Sequence, residues 1–168
     1  MPNHRKVISF PSVGHWRFFD VVEGVANPIQ RWYQNELSDT GRFLFDGLLK
    51  DNAKIALPIH WIGFKRFLHG KYRKERIWEW QFFADGRQYR VLGIFGDVRQ
   101  ETILLIGCYH KGAVYTPPDA LDIAYRRARA FRERRAGSRW LLSARSHLDG
   151  ASGAYLFTMV SLTRDLLR

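Results

Sequence analysis

The sequence predicts a single α+β domain in which two helices pack on a twisted antiparallel sheet and a third helix follows the sheet. Three observations favour this class. Apolar residues recur at helical spacing between positions 28 and 48, three strand-like runs lie between 77 and 109, and an alanine- and arginine-rich helix follows. With 168 residues, 46% of them hydrophobic, the chain is long enough for one cored domain and short for two.

The two N-terminal helices are predicted from their start signals and their spacing. Asn27 is a favourable cap, and Pro28 occupies the first helical position, where its missing N–H costs nothing. Ser38–Thr40 interrupts the helical pattern and caps the second helix. Residues at helical spacing follow each start: Ile29, Trp32, Tyr33 and Leu37, then Phe43, Leu44, Gly47 and Leu48.

The strands are predicted from β-branched and aromatic runs bounded by turns. Val7–Phe10 indicates a first strand. Asp85-Gly86 and Gly96-Asp97 are hairpin signals that divide a three-strand meander, whose strands are Ile77–Phe83, Gln88–Phe95 and Thr102–Tyr109.

A final helix is predicted from Thr116 to about Arg135, and Gly137-Ser138 marks a boundary after it. We therefore divide the chain into a domain over residues 1–136 and a C-terminal extension over 137–168. Within the extension, Tyr155–Leu167 has the spacing of an amphipathic helix, to which we assign no function.

The charge balance predicts an anionic partner, because 27 Lys and Arg face 16 Asp and Glu for a net charge of +11. A basic domain most often binds nucleic acid, although a soluble protein can also simply be basic. The segment 63–76 concentrates this charge beside the single acid Glu75. Its cations are predicted RNA or ribosome contacts: Lys65, Arg66, Lys71, Arg73, Lys74 and Arg76.

Other classes of site and location are disfavoured. Cys108 is the single cysteine, so no internal disulfide forms, and no histidine or acid spacing typical of metal ligands occurs. We expect neither a metal nor a cofactor. The N-terminus shows no secretory signal, and the longest uncharged run, 151–163, is too short to cross a bilayer, so we expect a cytoplasmic protein without a membrane partner.

Regular hairpins would place polar residues on one sheet face. If Phe82 pairs with Tyr89 and Phe95 with Thr102, then Gly107 lies opposite Arg90. The polar face would then carry Glu79, Gln81, Arg90, Tyr109 and Lys111, with His110 pointing to the other face. The core face would carry Trp78, Trp80, Phe82, Tyr89, Val91 and Cys108.

Such a polar face suits RNA cleavage without a metal, in which a 2′-hydroxyl attacks the adjacent phosphate. Glu79 is the candidate base, Arg90 and Lys111 the candidate phosphate ligands, and Tyr109 or His110 a candidate proton donor or stacking residue. Gln81 and Arg87 join the predicted RNA contacts. The structural alternative for Glu79 and Arg90 is a partly exposed ion pair.

The order and spacing of these motifs resemble the HigB-like, phage-derived branch of the RelE/ParE toxin superfamily. The resemblance covers roughly Val7 to Ala136, through IWEWQFFADGRQYRVLGIF and ETILLIGCYHKGAVYTPPDALDIAYRRARAF. The matching positions are Glu79, Tyr89, Arg90, His110, Lys111, Thr116, Pro117, Pro118, Ala124 and Arg127.

The resemblance implies a RelE-like compact domain, ribosome-dependent cleavage of mRNA, and a cognate antitoxin that carries a helix-turn-helix DNA-binding domain. By position, Arg90 matches the phosphate-stabilising arginine, Glu79 the active-face glutamate and Lys111 the lysine after the last strand. Relatives often have Arg or Lys where this chain has Gln81, and Gly112 and Pro118 occupy the neighbourhood of a C-terminal catalytic Tyr or His. The alternatives are a ParE-like poison of DNA gyrase and a non-catalytic nucleic-acid-binding module.

Overall fold

The computed structural model describes residues 15–133 and 137–140, which form an α+β fold built on a seven-stranded sheet. The helices are α1 (Pro28–Asn35), α2 (Asp39–Asn52) and α3 (Ala120–Arg132), with 3₁₀ turns at Pro58–His60 and Gly70–Glu75. The strands are β1 (Arg17–Val22), β2 (Phe64–Phe67), β3 (Trp78–Ala84), β4 (Arg87–Phe95), β5 (Glu101–Lys111), β6 (Val114–Thr116) and β7 (Gly137–Trp140).

The predicted helices and the three-strand meander are confirmed as α1, α2, α3 and β3 to β5. At the start of α2, the Ser38 side chain accepts a hydrogen bond from Gly41 N, as predicted for a cap. The predicted strand Val7–Phe10 and the predicted helix Tyr155–Leu167 lie outside the described residues.

The sheet is mixed, so the prediction of an antiparallel sheet is wrong. Its strand order is β2-β3-β4-β5-β1-β7, with β6 paired to β5. β1 runs parallel to β5, since the chain crosses through α1, α2 and the hairpins before it returns beside β1. Both helices therefore follow a strand and are not N-terminal in the described chain.

The first hairpin has the predicted register: Phe82 pairs with Tyr89 and Gln81 with Arg90. The second hairpin pairs Phe95 with Thr102 as predicted, but the ladder then passes from Gly93↔Leu104 to Leu92↔Ile106. Leu105 is thus an extra residue, a β-bulge in β5. As a result Cys108, not Gly107, lies opposite Arg90, and the predicted face of every later β5 residue is reversed.

Two cores cover the two faces of the sheet. One is aromatic and packs β3 and β4 against α1 and α2, with Trp32, Phe45, Trp78, Trp80, Phe82 and Tyr89 among its buried residues. The other is mainly aliphatic and packs α3 on Leu92, Ile94, Ile103, Leu105, Ile106 and Cys108. Cys108 therefore lies in the α3 core and not, as predicted, in the core that holds Trp78.

Two glycines permit the close packing in the aromatic core. A Cβ on Gly107 would lie 2.1 Å from the Trp32 ring, and a Cβ on Gly93 would lie 2.2 Å from the Trp78 ring. Because a real Cβ cannot approach so closely, glycine at these positions lets both indoles pack directly against the sheet backbone.

Candidate functional site

A buried carboxylate, Glu79, is the centre of the candidate site. Its side chain is 0% exposed and receives three polar partners. Arg90 Nη1 lies 3.0 Å from Oε1, Arg66 Nε donates to Oε2 at 3.1 Å, and the Tyr115 hydroxyl donates to Oε1 at 2.8 Å. Glu79 and Arg90 thus form the ion pair that the structural alternative predicted, but the pair is buried and not partly exposed.

Five adjacent strands position the site. Arg66 on edge strand β2 pairs with Glu79 on β3, and Arg90 comes from β4. The turn at 112–113 folds β6 back on β5, so Tyr115 pairs with His110. The His110 and Tyr115 rings meet edge-on, with centroids 4.2 Å apart.

The cluster reaches solvent through some of its members. The Arg66 side chain is 50% exposed, whereas that of Arg90 is 4% exposed. His110 and Tyr115 are partly exposed beside them. The site is therefore a buried ion pair with an accessible rim that carries a guanidinium, an imidazole and a phenol.

The surroundings shift the pKa values of two rim residues in ways that fix their protonation at neutral pH. Burial, reinforced by the charge of Glu79 and the hydrogen bond to it, raises the pKa of Tyr115 to about 12. Burial and the positive charge of Arg90 lower the pKa of His110. Tyr115 therefore keeps its proton and His110 is neutral, so one is a hydrogen-bond donor and the other a potential base.

Two glutamines extend the network on the same sheet face. Arg90 Nη2 donates to Gln88 Oε1 at 2.9 Å, and Gln88 Nε2 donates to Gln81 Oε1 at 3.4 Å. Within this cluster Arg90 Nη1 meets Glu79 as an ion pair without hydrogen-bond geometry, whereas the buried atoms Arg90 Nε and His110 Nε2 have no hydrogen-bond partner in the described chain. An unsatisfied buried polar group costs about 1–3 kcal/mol, so this cluster is kept at some expense to stability.

The structure brings together five of the predicted site residues: Arg66, Glu79, Gln81, Arg90 and His110. Placing His110 on this face corrects its predicted orientation away from Arg90. The cause is the Leu105 bulge, which reverses the alternation of side chains along the rest of β5.

The predicted placement of Tyr109 and Lys111 beside Arg90 is wrong for the same reason. Tyr109 pairs with Tyr89 and packs on the aromatic core, with the Arg87 guanidinium 5.4 Å above its ring. Lys111 shares the alternation of Tyr109 and is exposed at the end of β5.

Tyr115 is a site residue that the sequence reasoning missed. The sequence indicates it through Gly112, since a glycine directly after an apolar strand is typical of a tight turn into another strand. Gly112 adopts a left-handed φ of 64°, and this turn sets Tyr115 beside His110.

The predicted RNA-contacting cations differ in their partners. Arg66 binds Glu79, and Lys71 lies 2.5 Å from Asp122. The remaining cations of the segment are exposed and form no ion pair with an acid of the described chain: Lys65, Arg73, Lys74 and Arg76.

Among residues 15–133 and 137–140, no three His, Cys, Asp or Glu side chains are grouped as metal ligands would be. No helix in the same ranges has the length and apolar character that a bilayer crossing requires. Comparisons of the chain with protein-family models, curated proteins and solved structures find no match.

Proposed function

We propose that this chain is the toxin of a type II toxin–antitoxin system and cleaves mRNA on the ribosome. The observation that carries the proposal is the convergence of Arg66, His110 and Tyr115 on one buried Glu79–Arg90 pair. Cleavage of an RNA phosphodiester by its neighbouring 2′-hydroxyl needs a base, a proton donor and a cation, and the rim of this cluster supplies one of each.

In the proposed reaction the 2′-hydroxyl oxygen attacks the adjacent phosphorus, and the bond from phosphorus to the 5′ oxygen breaks. The products are a 2′,3′-cyclic phosphate and a 5′-hydroxyl. Neutral His110 accepts the proton of the 2′-hydroxyl, and the Tyr115 hydroxyl, which donates to Glu79 Oε1 in the structure, turns its O–H to the leaving oxygen. The exposed part of the Arg66 guanidinium stabilises the phosphoryl oxygens.

Glu79 takes a different role from the base suggested by the sequence. A carboxylate that is 0% exposed and bound by two arginines and a tyrosine does not touch the substrate. We assign it as a positioning residue that fixes Arg66 and Tyr115 relative to each other.

The proposed partners are the ribosome, its mRNA and a cognate antitoxin with a helix-turn-helix domain. The net charge of +11 and the exposed cations of the segment 63–76 support an anionic partner. The ribosome and the antitoxin rest on the motif resemblance, which spans Glu79, Tyr89-Arg90 and His110-Lys111.

The second candidate is a nucleic-acid-binding module without catalysis. It is favoured by the complete engagement of Glu79, since both of its oxygens already have protein partners. In this case Arg66 binds phosphate and the rest of the cluster is structural.

The deciding experiment measures mRNA integrity in a reconstituted translation reaction with and without ribosomes. We expect cuts within codons that require ribosomes, and a loss of cleavage of about 10²–10⁴-fold in His110→Gln. Lys111→Ala is the matched control, because Lys111 lies on the opposite sheet face and should keep activity within a few-fold of wild type.

Intact mRNA under both conditions would overturn the nuclease proposal. RNA binding without cleavage would then support the non-catalytic module, and inhibited DNA supercoiling by gyrase would support a ParE-like poison. Equal losses in Lys111→Ala and His110→Gln would contradict the location of the site.

A further inference from the structure

A cavity of about 530 Å³ opens beside edge strand β2, next to the candidate site. Its walls are Phe67, Leu68, His69, Arg73 and Arg76. This volume falls within the roughly 300–1,000 Å³ typical of small-molecule pockets. Leu68 lies two residues beyond Arg66 and packs with Ile77 on the sheet face that carries Glu79, whereas Phe67 packs with the aromatic core on the other face, so the cavity lies at the edge of the sheet beyond Arg66.

The cavity combines an apolar wall with a cationic rim. Phe67 is half-buried against Phe64 and Phe95, and Leu68 is 4% exposed. Arg73 and Arg76 are exposed and form no ion pair with any acid of residues 15–133 or 137–140. An apolar surface bordered by free guanidinium groups is complementary to a nucleobase joined to a phosphate.

The segment that carries these cations is anchored and not merely a solvated loop. Lys71 and the Tyr72 hydroxyl both contact Asp122 on α3, and the Tyr72 ring meets Tyr125 edge-on. Leu68 N donates to the backbone oxygen of Ile77, the residue directly before β3, and this hydrogen bond holds the apolar wall in place. Arg76 adopts a left-handed φ of 52°, and its N–H donates to Arg73 O, so both arginines belong to one closed turn.

We propose that this cavity is a nucleotide subsite that holds one unstacked base of single-stranded RNA against Phe67 and Leu68. Arg73 and Arg76 bind the phosphate of the same nucleotide. The choice of RNA rests on the proposed function, whereas the fit of a base with its phosphate rests on the cavity alone.

The test measures binding of fluorescent 2′-O-methyl octauridylate by anisotropy, without ribosomes. This probe lacks the 2′-hydroxyl nucleophile, so its binding does not depend on cleavage. The comparison probe is an octamer of abasic residues with the same number of phosphates. We expect octauridylate to bind about tenfold more tightly than the abasic octamer, because a stacked base adds affinity that phosphates do not.

The variants are Arg73→Ala and Arg76→Gly, glycine being suited to the left-handed φ at position 76. Each should weaken octauridylate binding about tenfold, since a lost charged contact to phosphate costs that much. Lys74→Ala is the matched control: Lys74 is exposed in the same turn but does not line the cavity, so its loss should weaken binding only about twofold. Circular dichroism and urea midpoints establish that each variant is folded.

Equal weakening by Lys74→Ala and Arg73→Ala would overturn the subsite, because binding would then follow charge alone. Equal affinity for the two octamers would overturn it as well, since no base would be held. These outcomes are separate from those of the translation assay: intact mRNA with a preserved preference for octauridylate refutes the nuclease and keeps the subsite.

Discussion

Replacing Glu79 with glutamine should destabilise the protein strongly, because it removes the one negative charge from a buried cluster. Glutamine has nearly the same shape, so packing is preserved while Arg90, 4% exposed, is left without its counter-charge. Breaking a buried pair by removing one partner typically costs about 3–5 kcal/mol. The NH2 group of the glutamine would also replace one of the two oxygens, so it would face either Arg66 or the pair Arg90 and Tyr115, which are all donors, and this adds to the same effect.

Urea denaturation gives the free energy of unfolding directly, and thermal melting gives a second measure. A loss of this size corresponds to a fall in Tm of roughly 6–20 °C for a domain of this length. The control is Glu133→Gln, which removes the 2.8 Å contact to Arg129 at an exposed pair and should cost less than about 0.5 kcal/mol.

A double variant separates lost charge from lost shape. Glu79→Leu combined with Arg90→Met removes both charges, and it should recover much of the stability lost in Glu79→Gln. A fall of less than about 1 kcal/mol in the free energy of unfolding of Glu79→Gln would refute the argument, because loss of the charge from a buried ion pair should destabilise the protein by more than that.

Two further predictions concern the same sheet. His110 has a lowered pKa, so the unfolded chain takes up its proton first as the pH falls: stability should decline below the unfolded pKa of about 6.5 and level off below the folded pKa. Urea midpoints between pH 7.5 and 5 should show a smaller decline in His110→Gln, and equal declines would contradict the shift caused by burial and Arg90. Gly107→Ala should destabilise by about 1–3 kcal/mol, because its Cβ would overlap the Trp32 ring. Gly47→Ala, where no atom lies within 4 Å of the added Cβ in α2, should instead stabilise by about 0.5–1 kcal/mol, and the opposite order in urea denaturation would refute this packing argument.

The elements with strong local signals could be predicted from the sequence. Pro28 and the Ser38 cap mark the starts of α1 and α2, and Asp85-Gly86 fixes the first hairpin with Phe82 opposite Tyr89. The predicted cap at Asn27 is wrong in its bonding, since Asn27 makes no side-chain cap hydrogen bond and Asp20 accepts from the first N–H groups of α1 instead. These signals are short-range, because a cap or a two-residue turn determines the local backbone whatever the rest of the chain does.

The features that depend on distant contacts could not be predicted in this way. The bulge at Leu105 lies in an almost uniformly apolar strand that is buried on both faces, so the sequence has no alternation that would reveal an extra residue. The parallel pairing of β1 depends on a contact between Arg17 and Glu101, 84 residues apart. Tyr115 lies in the site because β6 pairs with β5, and that pairing depends on the turn that contains Gly112.

The bulge at Leu105 shifts the alternation of side chains in β5 by one residue. The odd-numbered residues Ile103 and Leu105 face α3 up to the bulge, and the even-numbered residues face α3 beyond it. Cys108 and His110 therefore lie on the sheet face that carries Arg90. A shortened chain that lacks only Leu105 would keep its composition and charge almost unchanged. It would nevertheless exchange His110 for Tyr109 or Lys111 beside Glu79, so the chemistry available at this surface depends on the count of residues in a strand as much as on their identity.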